Sequence, residues 1–257
     1  YLCPKYATKK MNKLNRILLF FALHFSLFTF AQENNDDGMI STPQTATATD
    51  TEADLHYLED QFYFGLTYDY LAGKANNVVQ HNLSRGIHVG FIRDLPMNKA
   101  RNIGFGVGIG YAYDLVYNNM VANKTVSGVS YEIVERFSDR NITRNFFETH
   151  SVEIPVEFRF RTSTPYSHKF WRVYTGARFA YIFNSRSLYT ADGVSIAFQN
   201  SDIAHTFQVK PFIAFGYNAL NFYVQYNVTP LLKDAKTTDG TSLKSNVLQL
   251  GLLFYIL

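Results

Sequence analysis

The chain has 257 residues, with 24 Lys and Arg against 21 Asp and Glu, and it is rich in aromatics, with 23 Phe and 18 Tyr. No stretch is long and apolar enough for a membrane-spanning helix, and the single cysteine, Cys3, excludes an internal disulfide as fold support. The formal charge of +3 misleads: residues 1–31 hold five bases and no acid, and 24 less 5 leaves 19 bases against 21 acids, which leaves no electrostatic footprint for nucleic acid.

Met11 opens a segment with Lys13 and Arg16, an apolar run over residues 17–30, and the exit Thr29, Phe30, Ala31. This pattern predicts a secretory signal peptide cleaved after Ala31, with residues 1–10 as an upstream extension. Cys3 precedes the apolar run, so there is no lipoprotein signal. Residues 32–60 hold eight acids and no Lys or Arg, together with the low-complexity run STPQTATATDTEAD. Such a segment buries too little apolar surface to offset its ordering entropy, which predicts a disordered periplasmic leader.

From residue 61 to 257 the pattern is β. Phe62, Phe64, Leu66, Tyr68 and Tyr70 alternate with smaller or polar residues in a first strand, and Ile87, Val89 and Phe91 alternate with Gly86, His88 and Gly90 in a second. The third, IGFGVGIGYAYDLVY over 103–117, is the most telling: bulky residues occupy every odd position, and Gly104, Gly106, Gly108 and Gly110 stand opposite them. Strand side chains alternate faces, so one face is greasy and the other nearly bare. Glycine weakens a strand unless something passes close to its backbone, so the bare face predicts a cramped interior. Neither Gly104 nor Gly106 starts a GxGxxG fingerprint, because the third position falls on Ile109 or Tyr111, so nucleotide binding is not indicated. Further alternating strands follow over 151–161, 171–186, 207–216, interrupted at Pro211 and Phe212, 222–229 and 248–256.

Long and short connections alternate between these eight strands. Short ones fall at 96–102, 162–169 and 218–219, and long ones at 74–84, 118–147, 188–203 and 231–245. A soluble β-sandwich or lipocalin-like barrel has no reason to keep that parity, whereas an outer-membrane barrel does. The expectation is therefore an all-β fold: an eight-stranded antiparallel up-and-down transmembrane β-barrel of outer-membrane type, with both termini periplasmic. Eight strands enclose a lumen that side chains fill. Asp69, Asp114, Glu153 and Glu157 are expected to neutralise Arg159, Arg161, Arg172, Arg178, Arg186 and Lys210 inside it, with Glu153 and Glu157 pairing to arginines on the fifth strand. Catalytic, cofactor and metal sites are not expected. His88, His150 and His205 are the candidates for hydrolytic chemistry, but His150 and its neighbour Ser151 point to opposite faces, and no HxH or HxxxH spacing offers zinc a site. The external loops carry Arg136, Arg140, Arg144, Lys233, Lys236 and Lys244 with Tyr131 and Phe137, a surface suited to lipopolysaccharide phosphates. The alternating run 130–137 is expected to extend a hairpin above the membrane that docks a partner.

The segments VEIPVEFRFRT, FWRVYTGARFAYIF and FIAFGYNALNFYVQYNVTPLL resemble the PorT-like outer-membrane barrel proteins of the Bacteroidota, and the resemblance spans residues 62–257. It implies an eight-stranded outer-membrane barrel and a link to type IX protein secretion, and it carries over no catalytic residue. The expected function is a non-enzymatic structural or accessory component of the envelope, with outer-membrane lipid, lipopolysaccharide and an envelope or secretion-machinery protein as partners. The alternatives are a lipid-modifying outer-membrane enzyme acting on lipid A acyl chains and a narrow passive porin.

Overall fold

The computed structural model describes residues 60–256 apart from 75–76, 99, 126–127, 163–169, 200–202 and 238–239, so the expected signal peptide and acidic leader lie outside the described residues. Among the described residues eleven strands form: β1 (Gln61–Ala72), β2 (Arg85–Pro96), β3 (Ile103–Tyr117), β4 (Met120–Thr125), β5 (Gly128–Ile133), β6 (Ile142–Arg161), β7 (Trp171–Ala191), β8 (Val194–Gln199), β9 (Phe207–Tyr217), β10 (Leu220–Tyr226) and β11 (Asn246–Ile256). Eight of them close a ring in the order β6-β3-β2-β1-β11-β10-β9-β7, with β7 returning to β6. Every pairing in the ring is antiparallel, and β1 seals the cylinder against β11 through pairs such as Phe64 with Phe254.

The alternation read from the sequence becomes two surfaces. Outward-facing residues such as Leu66, Val107, Ile109, Ile154, Phe179, Ile213 and Leu252 remain exposed around the wall. An apolar surface of that extent cannot face water, and a bilayer is what covers it. Inside, the glycines sit where neighbours crowd the backbone. A methyl on Gly106 would lie 2.6 Å from Arg159 Nε and 2.9 Å from Ile92 Cγ2, and one on Gly110 would overlap the Tyr63 hydroxyl. Their bareness is thus a packing requirement.

Strand ends differ from the sequence expectation in ways that matter. Strand β2 runs on to Pro96, adding Asp94 to the lumen. The apolar Ile92 faces inward there and Arg93 outward, which breaks the alternation and hides the continuation. Strand β9 passes through Pro211 and Phe212 without interruption, Pro211 facing outward and Phe212 inward. Strands β6 and β7, at 20 and 21 residues, outrun the barrel wall and carry β8 on the free side of β7. The spans 118–147 and 188–203, read as loops, therefore contain regular sheet.

A bulge in β7 corrects one placement. His150 pairs with Asn184 but Ser151 pairs with Ile182, so Phe183 is an extra residue and the facing of β7 inverts beyond it. Ser185 and Ser187 turn inward while Arg186 turns outward, half-exposed, and bonds Glu148 on the outer wall at 3.2 Å. Arg186 does not belong to the lumen, because a period-two count carried across a bulge assigns the wrong face.

Candidate functional site

The lumen holds the densest chemistry of the molecule. Among the described residues, its buried charges are Asp69, Asp94, Asp114, Glu153 and Glu157 against Arg159, Arg161, Arg172, Arg178 and Lys210, five of each sign. Glu153 is the centre of one group, meeting Lys210 Nζ at 3.0 Å, Arg178 Nη1 at 3.2 Å and His88 Nδ1 at 3.3 Å. Lys210 also reaches Asp114 at 3.2 Å. Gln249 Nε2 donates to Asp114 at 2.8 Å and to Asp69 at 2.9 Å, and Thr67 donates to Asp69 at 2.7 Å.

A second group lies toward the short turns. Asp94 accepts from Arg159 at 3.0 Å and from Arg161 at 2.5 Å. Glu157 bonds Arg159 of its own strand at 3.1 Å and the Tyr255 hydroxyl at 3.2 Å, so its partner is not on the neighbouring strand as expected. Arg178 lies over the Tyr63 ring at 4.8 Å and Arg159 over Tyr174 at 4.9 Å, which packs the guanidinium faces as well as their edges. Ions taken this far from water persist only when paired, and here they fill the cylinder as mutual counterions.

The long-loop end is closed differently, by an apolar core that the sequence did not reveal. Val78, Met120, Ala122, Tyr131, Ile203, Leu231, Leu232, Ala235 and Leu243 pack onto the strand-end residues Leu71, Val116, Phe147 and Val247. Asparagines tie this cap to the barrel. Asn119 accepts from Val79 N at 2.8 Å and donates to the carbonyls of Asn77 at 2.8 Å and Val134 at 3.1 Å, while Asn145 donates to the carbonyls of Asn118 and Met120. Strands β4 and β5 form the expected hairpin, ending at Ile133. Tyr131 is turned into the cap core rather than outward, and burial pushes its hydroxyl well above the ordinary phenol range. Apolar residues inside otherwise polar loops, notably Leu231, Leu232 and Leu243, were the available signal. Beneath the cap, a void of about 10 Å³ lined by Asp114, Lys210, Gln208 and Gln249 leaves room for a single water at most.

On the outer wall, near the long-loop rim, a polar ladder interrupts the apolar surface. The Tyr111 hydroxyl meets His150 Nδ1 at 2.6 Å, and the Tyr113 hydroxyl donates to Glu148 at 3.1 Å beside Arg186. Ser151 is buried on the lumen side, behind the sheet from His150, so the two do not share a proton. His88 lies inside the charge network, and His205 is half-buried in the loop before β9. The expected external bases Arg136, Arg140, Arg144, Lys233, Lys236 and Lys244 are exposed around the cap. Arg140 grips Glu132 through two bonds of 2.8 and 2.5 Å, which hold the Glu132 carboxyl below its ordinary range, and the Phe137 ring meets that of His81 at a tilt of 47°, 4.8 Å between centroids.

Three comparisons bear on this arrangement. No curated protein matches the chain. Among solved structures, the crystal structure of Ail, the attachment invasion locus protein of Yersinia pestis, matches over 77% of this chain and 97% of that chain, at 11% identity and a TM-score of 0.32. A family model described as outer membrane protein beta-barrel domain matches residues 30–234, most of the chain and seven of the eight barrel strands. The closed eight-stranded ring, its lipid-ready wall and that match together make the chain a member of the family of outer-membrane proteins with a β-barrel domain.

Proposed function

We propose that this protein is a non-enzymatic, PorT-like structural or accessory component of the outer membrane, which acts through its external cap and its rims rather than through its lumen. The observation that carries this reading is the filled cylinder: among the described residues, paired charges occupy the middle and an apolar core covers the long-loop end, which leaves little room for a solute in the lumen. The long loops face outward from the cell, the short turns and both chain ends face the periplasm, and the exposed bases around the cap meet lipopolysaccharide phosphates. In this reading the partner is a protein of the envelope or of the type IX secretion machinery.

Deletion of the gene followed by secretome analysis and lipid A mass spectrometry tests the proposal. Loss of secreted proteins with unchanged acyl chains is expected, and altered acyl chains with normal secretion would reverse it in favour of lipid chemistry. Reconstitution in planar bilayers should give no steady conductance; a stable open level would favour a narrow porin.

A further inference from the structure

The outer wall breaks its own rule near the long-loop rim. A face that meets hydrocarbon excludes charge, yet two neighbouring rows of the sheet carry polar side chains outward there. The upper row runs Arg85, Leu115, Glu148, Arg186 and Gln199 across β2, β3, β6, β7 and β8, and the lower runs Ile87, Tyr113, His150 and Asn184 across the first four of these strands. The bulge at Phe183 turns Asn184 and Arg186 outward to complete both rows. Arg186 and the Tyr113 hydroxyl bond Glu148 at 3.2 and 3.1 Å, the Tyr111 hydroxyl meets His150 Nδ1 at 2.6 Å, and Gln199 Nε2 donates to Asn184 at 3.0 Å. Two bases thus stand with one acid. Arg186 neutralises Glu148, while the exposed Arg85 has no acid bonded to it among the described residues.

Height says what these rows meet. From Ile103, where the wall starts at the short-turn end, to Tyr113 is 113 less 103, ten residues of β3. At about 3.4 Å per residue and a tilt of roughly 40°, they climb about 26 Å, against about 25 Å for the apolar band of an outer-membrane barrel. Both rows therefore sit where hydrocarbon gives way to headgroups. Below Arg85, Phe62, Val89, Phe91, Ile109 and Tyr111 wall an apolar furrow floored by the paired Gly90 and Gly110. Tyr111 joins furrow and rows, its ring in the one and its hydroxyl on His150.

We propose that this rim binds one phosphorylated glycolipid of the outer leaflet, with its phosphate on Arg85, its sugar hydroxyls on His150, Glu148 and Asn184, and one acyl chain in the furrow. The site rests on the reading that the long loops face the cell exterior, and it adds a place on the wall to the bases of the cap. A simple phospholipid needs one cation and leaves the other hydrogen-bonding groups unused. Sugar hydroxyls use them, because each can donate to Glu148 or accept from Asn184, while Arg85 makes the charge-assisted contact to phosphate. Arg85 and Glu148 stand two strand steps apart, about 10 Å along the sheet, which leaves the width of a sugar ring between them.

The test uses the full chain refolded in zwitterionic detergent, with retained lipid counted by native mass spectrometry as three probes are titrated: bisphosphorylated lipid A, the same lipid A stripped of phosphate, and phosphatidylglycerol. One lipid A per barrel is expected, bound about tenfold more tightly than either other probe. Arg85→Gln should abolish the preference for the phosphorylated form, Arg85→Lys should keep most of it, and His150→Phe should weaken both lipid A forms about tenfold. Arg93→Gln, which removes an outward base of the same strand at the short-turn end, should change nothing. Equal affinity for phosphatidylglycerol overturns the sugar contacts, and an unchanged preference in Arg85→Gln overturns the phosphate assignment. If the preference is lost in Arg144→Gln instead, phosphate is held by the cap alone, so the site fails while the reading of the cap stands. Protease cleavage of the cap on intact cells reports orientation separately: cleavage with no lipid A retained refutes the site alone, and protection overturns the outward reading on which it rests.

Discussion

Glu153→Gln is the sharpest test of a lumen held by mutual counterions. The substitution keeps shape and volume but removes the one negative charge that Lys210, Arg178 and His88 share at 3.0, 3.2 and 3.3 Å, in a side chain with no exposed surface. Removing one partner of a buried ion pair costs about 3 to 5 kcal/mol, because the other is left charged and unpaired. Two features point to the lower end. Lys210 keeps Asp114 at 3.2 Å, and Arg178 keeps the faces of Tyr63 and Tyr223 at 4.8 and 5.1 Å. The expected loss is therefore about 3 kcal/mol, roughly two powers of ten in the folding equilibrium constant. Trp171 is the only tryptophan and stands on the outer wall, so its fluorescence reports urea unfolding from vesicles directly. The control is Glu148→Gln, which breaks the half-exposed pair with Arg186 and should cost about 1 kcal/mol or less. If the two variants unfold at the same urea concentration, the lumen network is not what supports the barrel.

Gly110→Ala should destabilise the barrel by about 1 to 3 kcal/mol through collision with the Tyr63 hydroxyl, and Tyr63→Phe, which deletes a hydroxyl that bonds nothing, should recover part of that loss in the same unfolding assay. Val107→Lys places a charge on the outward, lipid-facing side of β3 and should cost about 2 to 4 kcal/mol in vesicles; an unchanged midpoint would contradict the lipid-facing assignment. The Glu132 carboxyl is held below its unfolded value by Arg140, so the stabilisation it lends the external hairpin is complete above about pH 4.3 and is lost as the pH falls below that. Limited proteolysis of the turn at 137–140 should therefore accelerate on acidification, and Glu132→Gln should be equally susceptible at every pH.

Much of the barrel wall was legible because a membrane imposes one rule on every strand. Bulky residues must face hydrocarbon, and the other face must fit a narrow centre, so an alternation such as that of 103–117 defines both strand and facing. The lumen was legible only in part. Asp69, Asp114, Glu153, Glu157, Arg159, Arg161, Arg172, Arg178 and Lys210 were all assigned inward by parity, and all are buried there. Asp94 was missed because Ile92 and Arg93 reverse the usual polarity, and Arg186 was misplaced because a single inserted residue at Phe183 exchanges the faces of everything after it.

Period and parity, properties of the local chain, determined by themselves the eight strands of the barrel wall, the facing of most of their residues and the alternation of long and short connections. Which charge meets which depends on contacts between strands far apart in sequence, such as Lys210 with Asp114 and Gln249 with Asp69, and no local pattern encodes them. The cap is the clearest case. Leu231, Leu232 and Leu243 look like incidental residues in polar loops until closure of the ring brings four loops over one mouth, where only their joint burial keeps water off the network below.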